Sequence, residues 1–464
     1  MTKLSLLPAL AMFVCLAAPV RAASLDDPFA TDALAPPRPS PQAAGRTGEV
    51  PCTREIPSAL TAIDAVDLAL CNNPQTREVW AAARAQAAQV GVAQSAWLPN
   101  LDGRLGASRL QTDRRYYNSN SAQLTLSWLV FDSGARSASG ENARQLLEAA
   151  AASQDFTVQL LFLAALQTFY TAQATQAAVV STTEAERAAR EGFNAAEARY
   201  KVGVATPSDR LLAQTALSQA TLTRIKAEGE ARNALGALAN ALGFPAGQNL
   251  TLTPPPKTLP DAAFTQEVAA LIAEAENRRP DLKAAEAQVK AAQASIDLAQ
   301  AQGRPTVSVS AGPTWTEIDR VSVDGGLIGV SVNLPLFTGF STTYKVRAAA
   351  AQVDVKEAQR DRLKNQVALD VWKAYQSLTT ATQSLTTTLD LVASAEQSER
   401  VALGRYKAGV GTVLDLLTAQ SALANARLQR IQAALDWFVY RATLAQAVGT
   451  LDYTLLQPAT EGKP

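Results

Sequence analysis

Histidine is absent from this chain of 464 residues. That removes imidazole chemistry: His-based catalytic triads, HExxH zinc sites and histidine pH switches are excluded together. Aromatic residues make up only 6%, too few to fill one large globular core. The alanine-, glutamine-, leucine- and threonine-rich remainder suits long helices packed through small side chains. There is no excess of either charge, since Lys+Arg and Asp+Glu both number 42, so no field argues for a nucleic-acid partner. Long apolar runs are scarce as well. After the N-terminus no stretch approaches the roughly 20 apolar residues a spanning helix needs; LLFLAAL (160–166), between Gln159 and Gln167, is far too short. A mature chain that sits in a membrane is therefore expected there as β-strands.

The one apolar run opens the chain. MTKLSLLPALAMFVCLAAPVRAAS places Lys3 before the run and small residues (Ala22, Ala23) after it. This reads as a secretory signal peptide over 1–22, the alternative being an uncleaved anchor. Cys15 follows Val14, a poor fit to the small residue that a lipidation site needs. Cleavage leaves two cysteines, Cys52 and Cys71. An exported chain favours a disulfide between them, with two buried thiols as the alternative.

What the chain has in abundance is itself. RYKVGVATPSD (199–209) returns as RYKAGVGTVLD (405–415), an offset of 206 residues. Pro99 and Pro305, Phe131 and Phe337, and Gly243 and Gly449 share that offset, and Asn73-Pro74 answers Arg279-Pro280. The period is far above that of solenoid repeats, so this is a tandem duplication of one large unit. The expected organisation is a proline-rich leader (23–60), a first repeat (61–243), a linker (244–266), a second repeat (267–449) and a tail (450–464).

Each repeat reads in the same order. An alanine-rich helix (Asn72 to Trp97; Asp281 to Gln302) is stopped by proline. The apolar period then changes to two. Leu124, Leu126, Trp128 and Val130 alternate with polar neighbours in one copy, and Ile328, Val330, Val332 and Leu334 do so in the other. This predicts hairpins at 101–131 and 306–337, with strands of about 9 to 11 residues and polar connections near 111–121 and 316–325. Four strands cannot close a barrel, and an open edge cannot stand in lipid. Membrane-spanning strands would have to be pooled, and three chains would give 12. A helix of about 65 residues follows each hairpin, roughly 100 Å of rod. Its apolar stripe runs through Phe156, Leu160, Leu163 and Tyr170 in one copy and Leu363, Val367, Val371, Leu378, Leu385 and Leu389 in the other, and it needs partner helices.

Next come the tips, 201–207 and 407–412. Gly203 and Gly409 follow helices ending in Lys201 and Lys407, which is the expected glycine stop with a cation in the last turn. Thr206–Asp209 and Thr412–Asp415 fit capping boxes opening the return helices, with Pro207 at the first helical position. Capping leaves unexplained why an Arg-Tyr pair (Arg199-Tyr200, Arg405-Tyr406) precedes each tip. No metal constellation, nucleotide loop, cofactor site or catalytic carboxylate pair emerges; GGLIG (325–329) lies in a strand pattern rather than before a helix.

A signal peptide, a duplicated helix–hairpin–long helix–turn–helix, and tips of form Y-x-x-G-x-x-T-x-x-D together resemble the TolC family of outer-membrane channels. ALCNNPQTREVWAAARAQ (69–86) is most similar to members serving type I secretion of a toxin. The resemblance implies a mainly α protein with a small β part: helical hairpins forming an α-barrel, and a 12-stranded transmembrane β-barrel completed by a homotrimer. It also implies an outer-membrane location with a large periplasmic part, a periplasmic adaptor and an inner-membrane transporter as partners, lipid around the strands, and no enzymatic activity. Tyr406 matches the family's gating tyrosine and Asp415 the first acidic position lining the closed end. The family's tip arginine is Gly411 here and its second constriction aspartate is Thr418, so a different latch is implied, with Arg405 available to compensate. Lys201, Gly203, Val204, Lys407, Gly409 and Gly411 are the expected adaptor-contacting positions. The rival reading is a soluble periplasmic adaptor or scaffold with helical hairpins. An exported enzyme has no site to support it.

Overall fold

Proline and glycine positions account for most element boundaries. The computed structural model describes residues 26–39, 52, 55–112, 115–254, 267–319 and 321–453. The signal-peptide segment with Cys15, much of the proline-rich leader, residues 255–266 of the linker and the last residues of the tail lie outside the described residues. The helices are α1 (Ala62–Asn72), α2 (Pro74–Ser95), α3 (Ala135–Lys201), α4 (Pro207–Ala241), α5 (Val268–Arg278), α6 (Pro280–Ala301), α7 (Ser341–Lys407) and α8 (Val413–Val448). The strands are β1 (Asn100–Thr112), β2 (Arg115–Phe131), β3 (Thr306–Ile318) and β4 (Val321–Asn333). Each element of the second set begins 206 residues after its counterpart in the first.

The chain forms two compact units, and each draws on both repeats. One (Met1–Pro36, Ala81–Ala151, Ala287–Lys356) holds the strands and the adjoining ends of α2, α3, α6 and α7. Its strands make one antiparallel sheet in the order β1-β2-β3-β4. The pairing joins the two repeats at β2–β3 and leaves β1 and β4 as edges. Leu101, Leu105, Leu124, Leu126, Trp128, Ile328, Val330 and Val332 are all exposed, Leu105 and Ile328 at 86%. Cross-strand partners such as Leu101↔Leu126, Leu126↔Ala311 and Ala311↔Ile328 place these residues on one face.

The strands are longer than the expected 9 to 11 residues. They run to 13, 17, 13 and 13. Residues 115–121 and 321–325, expected to be connections, are paired strand. The apolar alternation fades there while backbone pairing continues, as in Ser108↔Ser119 and Arg109↔Asn118. Ladder hydrogen bonds need no apolar side chain, so hydropathy locates the apolar band and not the strand ends.

At the base of the sheet, Arg136 is buried and paired with Asp132 (3.1 Å). It also donates to the carbonyls of Leu129 (2.6 Å) and Val130 (3.1 Å) and lies over the Trp97 ring (4.2 Å). This single cation fixes where β2 gives way to α3. At the equivalent junction of the second repeat, Thr338 and Thr342 share a 3.3 Å hydroxyl contact instead.

The second unit (Pro37–Trp80, Ala152–Glu286, Glu357–Pro464) holds the remaining helices and two main apolar cores. One gathers Leu60, Val66, Leu161, Leu166, Phe169, Leu238 and Leu242. The other gathers Leu271, Val367, Val371, Leu378, Trp437, Leu444 and Val448. Leu161 and Val367, Leu238 and Leu444, and Leu242 and Val448 are repeat equivalents. Tyr170 stacks on Phe438 with centroids 4.7 Å apart, joining the cores. The buried stripe of α3 runs through Leu161, Phe162, Leu163, Ala165, Leu166 and Phe169; of the expected members Leu163 is in it and Tyr170 packs against it, whereas Leu160 is 43% exposed. By composition α3 also carries one window long and apolar enough to cross a membrane, contrary to expectation; its apolar side chains supply this core instead.

The helices expected at Asn72–Trp97 and Asp281–Gln302 are α2 and α6, and an unexpected short helix, α1 or α5, precedes each. α1 and α5 stop at Asn73 and Arg279, both extended, and a proline opens the next helix. Each break is tied to the end of a return helix. Asn73 Nδ2 donates to the Ala241 carbonyl (3.3 Å), and Arg279 Nη1 to the equivalent Ala447 carbonyl (3.4 Å). Arg279 is 4% exposed and also pairs with Asp281 (2.7 Å) and Asp370 (3.3 Å). Return helices α4 and α8 are followed by Gly243 (φ 79) and Gly449 (φ 82) in the left-handed region. A Cβ on Gly243 would stand 2.7 Å from the Asn72 carbonyl group. Cys52 and Cys71 are joined in a disulfide that fastens the leader to the end of α1.

Arg279→Ala removes one side of a buried charged cluster and is expected to destabilise the second unit by about 3 kcal/mol or more. Asn73→Ala, which loses a neutral hydrogen bond at the equivalent break, should cost only about 1 kcal/mol. Thermal unfolding followed by helical circular dichroism measures both. Equal losses would show that the charged cluster contributes nothing beyond the tie to the return helix.

Candidate functional site at the helical tips

Both tips obey the same local chemistry. α3 and α7 end in Lys201 and Lys407, and Gly203 (φ 78) and Gly409 (φ 81) turn the chain in the left-handed region that a side chain resists. Val204 N–H donates to the Arg199 carbonyl and Val410 N–H to the Arg405 carbonyl, each at 3.0 Å. Thr206 and Thr412 then cap α4 and α8 through complete capping boxes with Asp209 and Asp415. A third box of the same form, Thr61 with Asp64, opens α1.

Four positions differ between RYKVGVATPSD and RYKAGVGTVLD, and one of them changes the backbone of the turn. Ala205 in the first corresponds to Gly411 in the second. A Cβ on Gly411 would lie 3.1 Å from the Tyr406 amide nitrogen and from Arg405 Cβ. The close approach lets Gly411 N–H donate to the Arg405 carbonyl (3.1 Å), a bond beyond the pair described above. The second tip, which its two glycines make the more pliable in sequence, thus carries extra backbone bonding.

Tyr406 is the buried centre of the region. It is 4% exposed and packs with Ala196, Ala213, Val413 and Leu416. Arg199, at the end of α3, donates to the Tyr406 carbonyl (2.8 Å), and its guanidinium lies 4.9 Å from the ring centre. The Tyr406 hydroxyl has no hydrogen-bond partner among the described residues. Burial pushes its ionisation upward, Arg199 acting against this and Asp209 with it. The first hairpin therefore grips the second through Arg199 and Tyr406, one member of each Arg-Tyr pair. Sequence reasoning singled those residues out without seeing that they touch across 207 positions.

Asp415 is exposed, and its carboxylate accepts from the Thr412 amide (3.2 Å). That bond first, then the Thr412 hydroxyl and the nearby Arg405 charge, holds its carboxyl below the usual carboxylate range. Arg405 and Thr418 are exposed. Lys201, Gly203, Val204, Lys407 and Gly409 are exposed too, and Gly411 is half-buried. Val202, Val204, Val410 and Leu414 present their side chains to solvent at 61% or more. Val410 and Leu414 escaped sequence reasoning because two isolated apolar residues in a turn carry no periodic signal.

Farther along the hairpins, Arg427 of α8 bridges Glu184 of α3 (2.8 Å) and Glu396 of α7 (3.0 Å). Gln420 of α8 donates to the Ala188 carbonyl of α3 (3.3 Å). Between α3, α4 and α8 lies a groove of about 360 Å³ lined by small and polar side chains, among them Ser181, Thr182, Ala216 and Gln420. Among the described residues no group of three or more acidic, cysteine or histidine side chains is placed to hold a metal.

The comparisons with known proteins agree with this organisation. The family model for the outer membrane efflux protein matches residues 65–244 and again 271–450, at the same 206-residue offset. Protein CyaE of Bordetella pertussis is 32% identical over 401 residues, covering 84% of each chain. Outer membrane protein TolC of Escherichia coli is 26% identical over 412 residues, covering 82% of this chain and 80% of that protein. Among solved structures, the Campylobacter jejuni CmeC outer membrane channel superposes with a TM-score of 0.74 at 17% identity, over 89% of this chain and 95% of that one. The doubled match, the doubled element order and the uncovered apolar sheet face lead to one conclusion: the chain belongs to the outer membrane efflux protein family and serves as an export channel of the outer membrane.

Proposed function

We propose that three copies assemble into the working channel and that cargo, small molecules or an unfolded polypeptide, passes along their common axis. The observation that carries this reading is the sheet. It exposes a continuous apolar face and has two unpaired edges, β1 and β4. Lipid satisfies the face but not the edges, because hydrocarbon offers their N–H and C=O groups no partner. Pairing β4 of one copy with β1 of the next removes every edge, and three copies give 12 strands, within the range of known barrels. A soluble adaptor or scaffold would have to expose the same apolar face to water.

The helical hairpins then form the periplasmic tunnel, with the tips at its closed end. An adaptor docks on the tips, at the exposed Lys201, Gly203, Val204, Lys407 and Gly409 and the half-buried Gly411. An inner-membrane transporter supplies the energy, because the channel has no chemistry of its own to do so. Tyr406, Asp415, Arg405 and Thr418 are the gate residues. Gly411 and Thr418 leave a single acidic position, Asp415, on the second tip. The cap it forms depends on its ionised state. Its folded pKa is depressed, so its contribution is present at neutral pH and is lost as pH falls through the folded value.

The protein is expected in outer-membrane fractions as a trimer that survives mild detergent and can be trapped by cross-linking. Recovery as a soluble monomer would contradict the assembly. Asp415→Ala is expected to raise resting single-channel conductance and weaken block by divalent cations, besides costing the cap about 1 kcal/mol. Conductance and block identical to the parent protein would leave Asp415 as a helix cap alone.

A further inference from the structure

The two repeats touch each other through residues that both repeats possess. On the first hairpin, the α3 end supplies Arg199 and the Ala188 carbonyl. On the second, Tyr406 receives Arg199 and Gln420 reaches the Ala188 carbonyl. Each hairpin should therefore own both halves of the contact, and each does. The second hairpin carries Arg405 and Ser394 where the first has Arg199 and Ala188. The first carries Tyr200 and Gln214 where the second has Tyr406 and Gln420.

Among the described residues these second halves make no such contact with the other hairpin. Arg405, Ser394 and Gln214 are exposed, and Tyr200 is 37% exposed where Tyr406 is 4%. The guanidinium over the Tyr200 ring is that of Arg210 of its own hairpin, at 5.8 Å. The sheet shows the same imbalance. β2 of the first repeat pairs with β3 of the second, while the equivalent edges β4 and β1 remain open. A head-to-tail interface of this kind closes into a ring when its rotation allows, each copy offering one half and receiving the other.

We propose that the tips of neighbouring copies are joined by the duplicate of the internal contact: Arg405 of one copy packs on the Tyr200 ring of the next and donates to its backbone carbonyl, and Gln214 of that next copy donates to the Ser394 carbonyl. This rests on the trimeric reading and names the residues by which its tips close. Six Arg-Tyr contacts, three within chains and three between, then circle the closed end. The second set differs in one respect. Arg405 also lies near Asp415, where its charge favours the ionised carboxylate that caps α8. One guanidinium thus couples the cap of the second hairpin to the grip on the neighbour, whereas Arg199 has only the grip.

The test uses two differently tagged full-length copies expressed together, one Arg405→Cys and the other Tyr200→Cys, treated with a short bismaleimide. Native Cys52 and Cys71 are bonded to each other and do not compete. The expected product is a covalent dimer carrying both tags. Arg199→Cys and Tyr406→Cys placed together in one chain should give an internal link with no change in chain number. Native mass spectrometry of the same samples reports the trimer independently. A trimer without the mixed dimer overturns the contact and leaves the assembly standing; no trimer overturns both.

As a second reading, Arg405→Ala and Tyr200→Ala should each raise the resting open fraction roughly fivefold, and the double variant no further. Additive effects of the two substitutions would show that the residues act separately and would also overturn the contact.

Discussion

A strand edge in hydrocarbon must be paired, and this constraint orders the rest of the molecule. Each repeat supplies one hairpin, two repeats supply a four-stranded sheet, and that sheet still has edges. No rearrangement inside one chain can remove them. The duplication joins β2 to β3 and defers the remaining pairing to another copy. The apolar face that lipid would cover belongs to the same sheet, so face and edges call for a single solution.

The helical part answers a different need. With few aromatic residues, its cores are assembled from leucine, valine and alanine on long helices, with Trp437 and Phe169 as the largest fully buried side chains. The short helices α1 and α5 supply Val66, Ala65, Leu271 and Ala275 to these cores and end at the breaks Asn73-Pro74 and Arg279-Pro280. The side chain at each break then reaches the end of a return helix. Neutral asparagine does this in one repeat, and buried arginine with two aspartates does it in the other. The repeats have kept the geometry and changed its chemistry.

Much of this was legible in the sequence because it is written in local signals. Glycine at 203 and 409, threonine and aspartate at the caps, and proline after each first helix marked the turns. The 206-residue period exposed the duplication without any structural knowledge. Other features were hidden for physical reasons. The strands outlast their apolar alternation, since backbone pairing does not require it. The short helices α1 and α5 went unread because 11 residues closed by a proline carry little periodic signal. Of the expected α3 stripe, Leu163 and Tyr170 join the core while Leu160 faces out, because LLFLAAL is apolar on nearly every side and its inward face cannot be read from hydropathy alone. The Arg199–Tyr406 contact joins distant positions, which no spacing rule reaches.

The disulfide between Cys52 and Cys71 closes a stretch of 19 residues across the start of the helical core. Such a cross-link forms outside the reducing cytoplasm, and closing a loop of that length removes unfolded-state freedom worth about 3 kcal/mol. Before export the chain lacks this tie, and Cys71 is an unbonded thiol at the end of α1. The leader is thus fastened to the first helix only once the chain has reached an oxidising compartment, so this tie is itself a product of export.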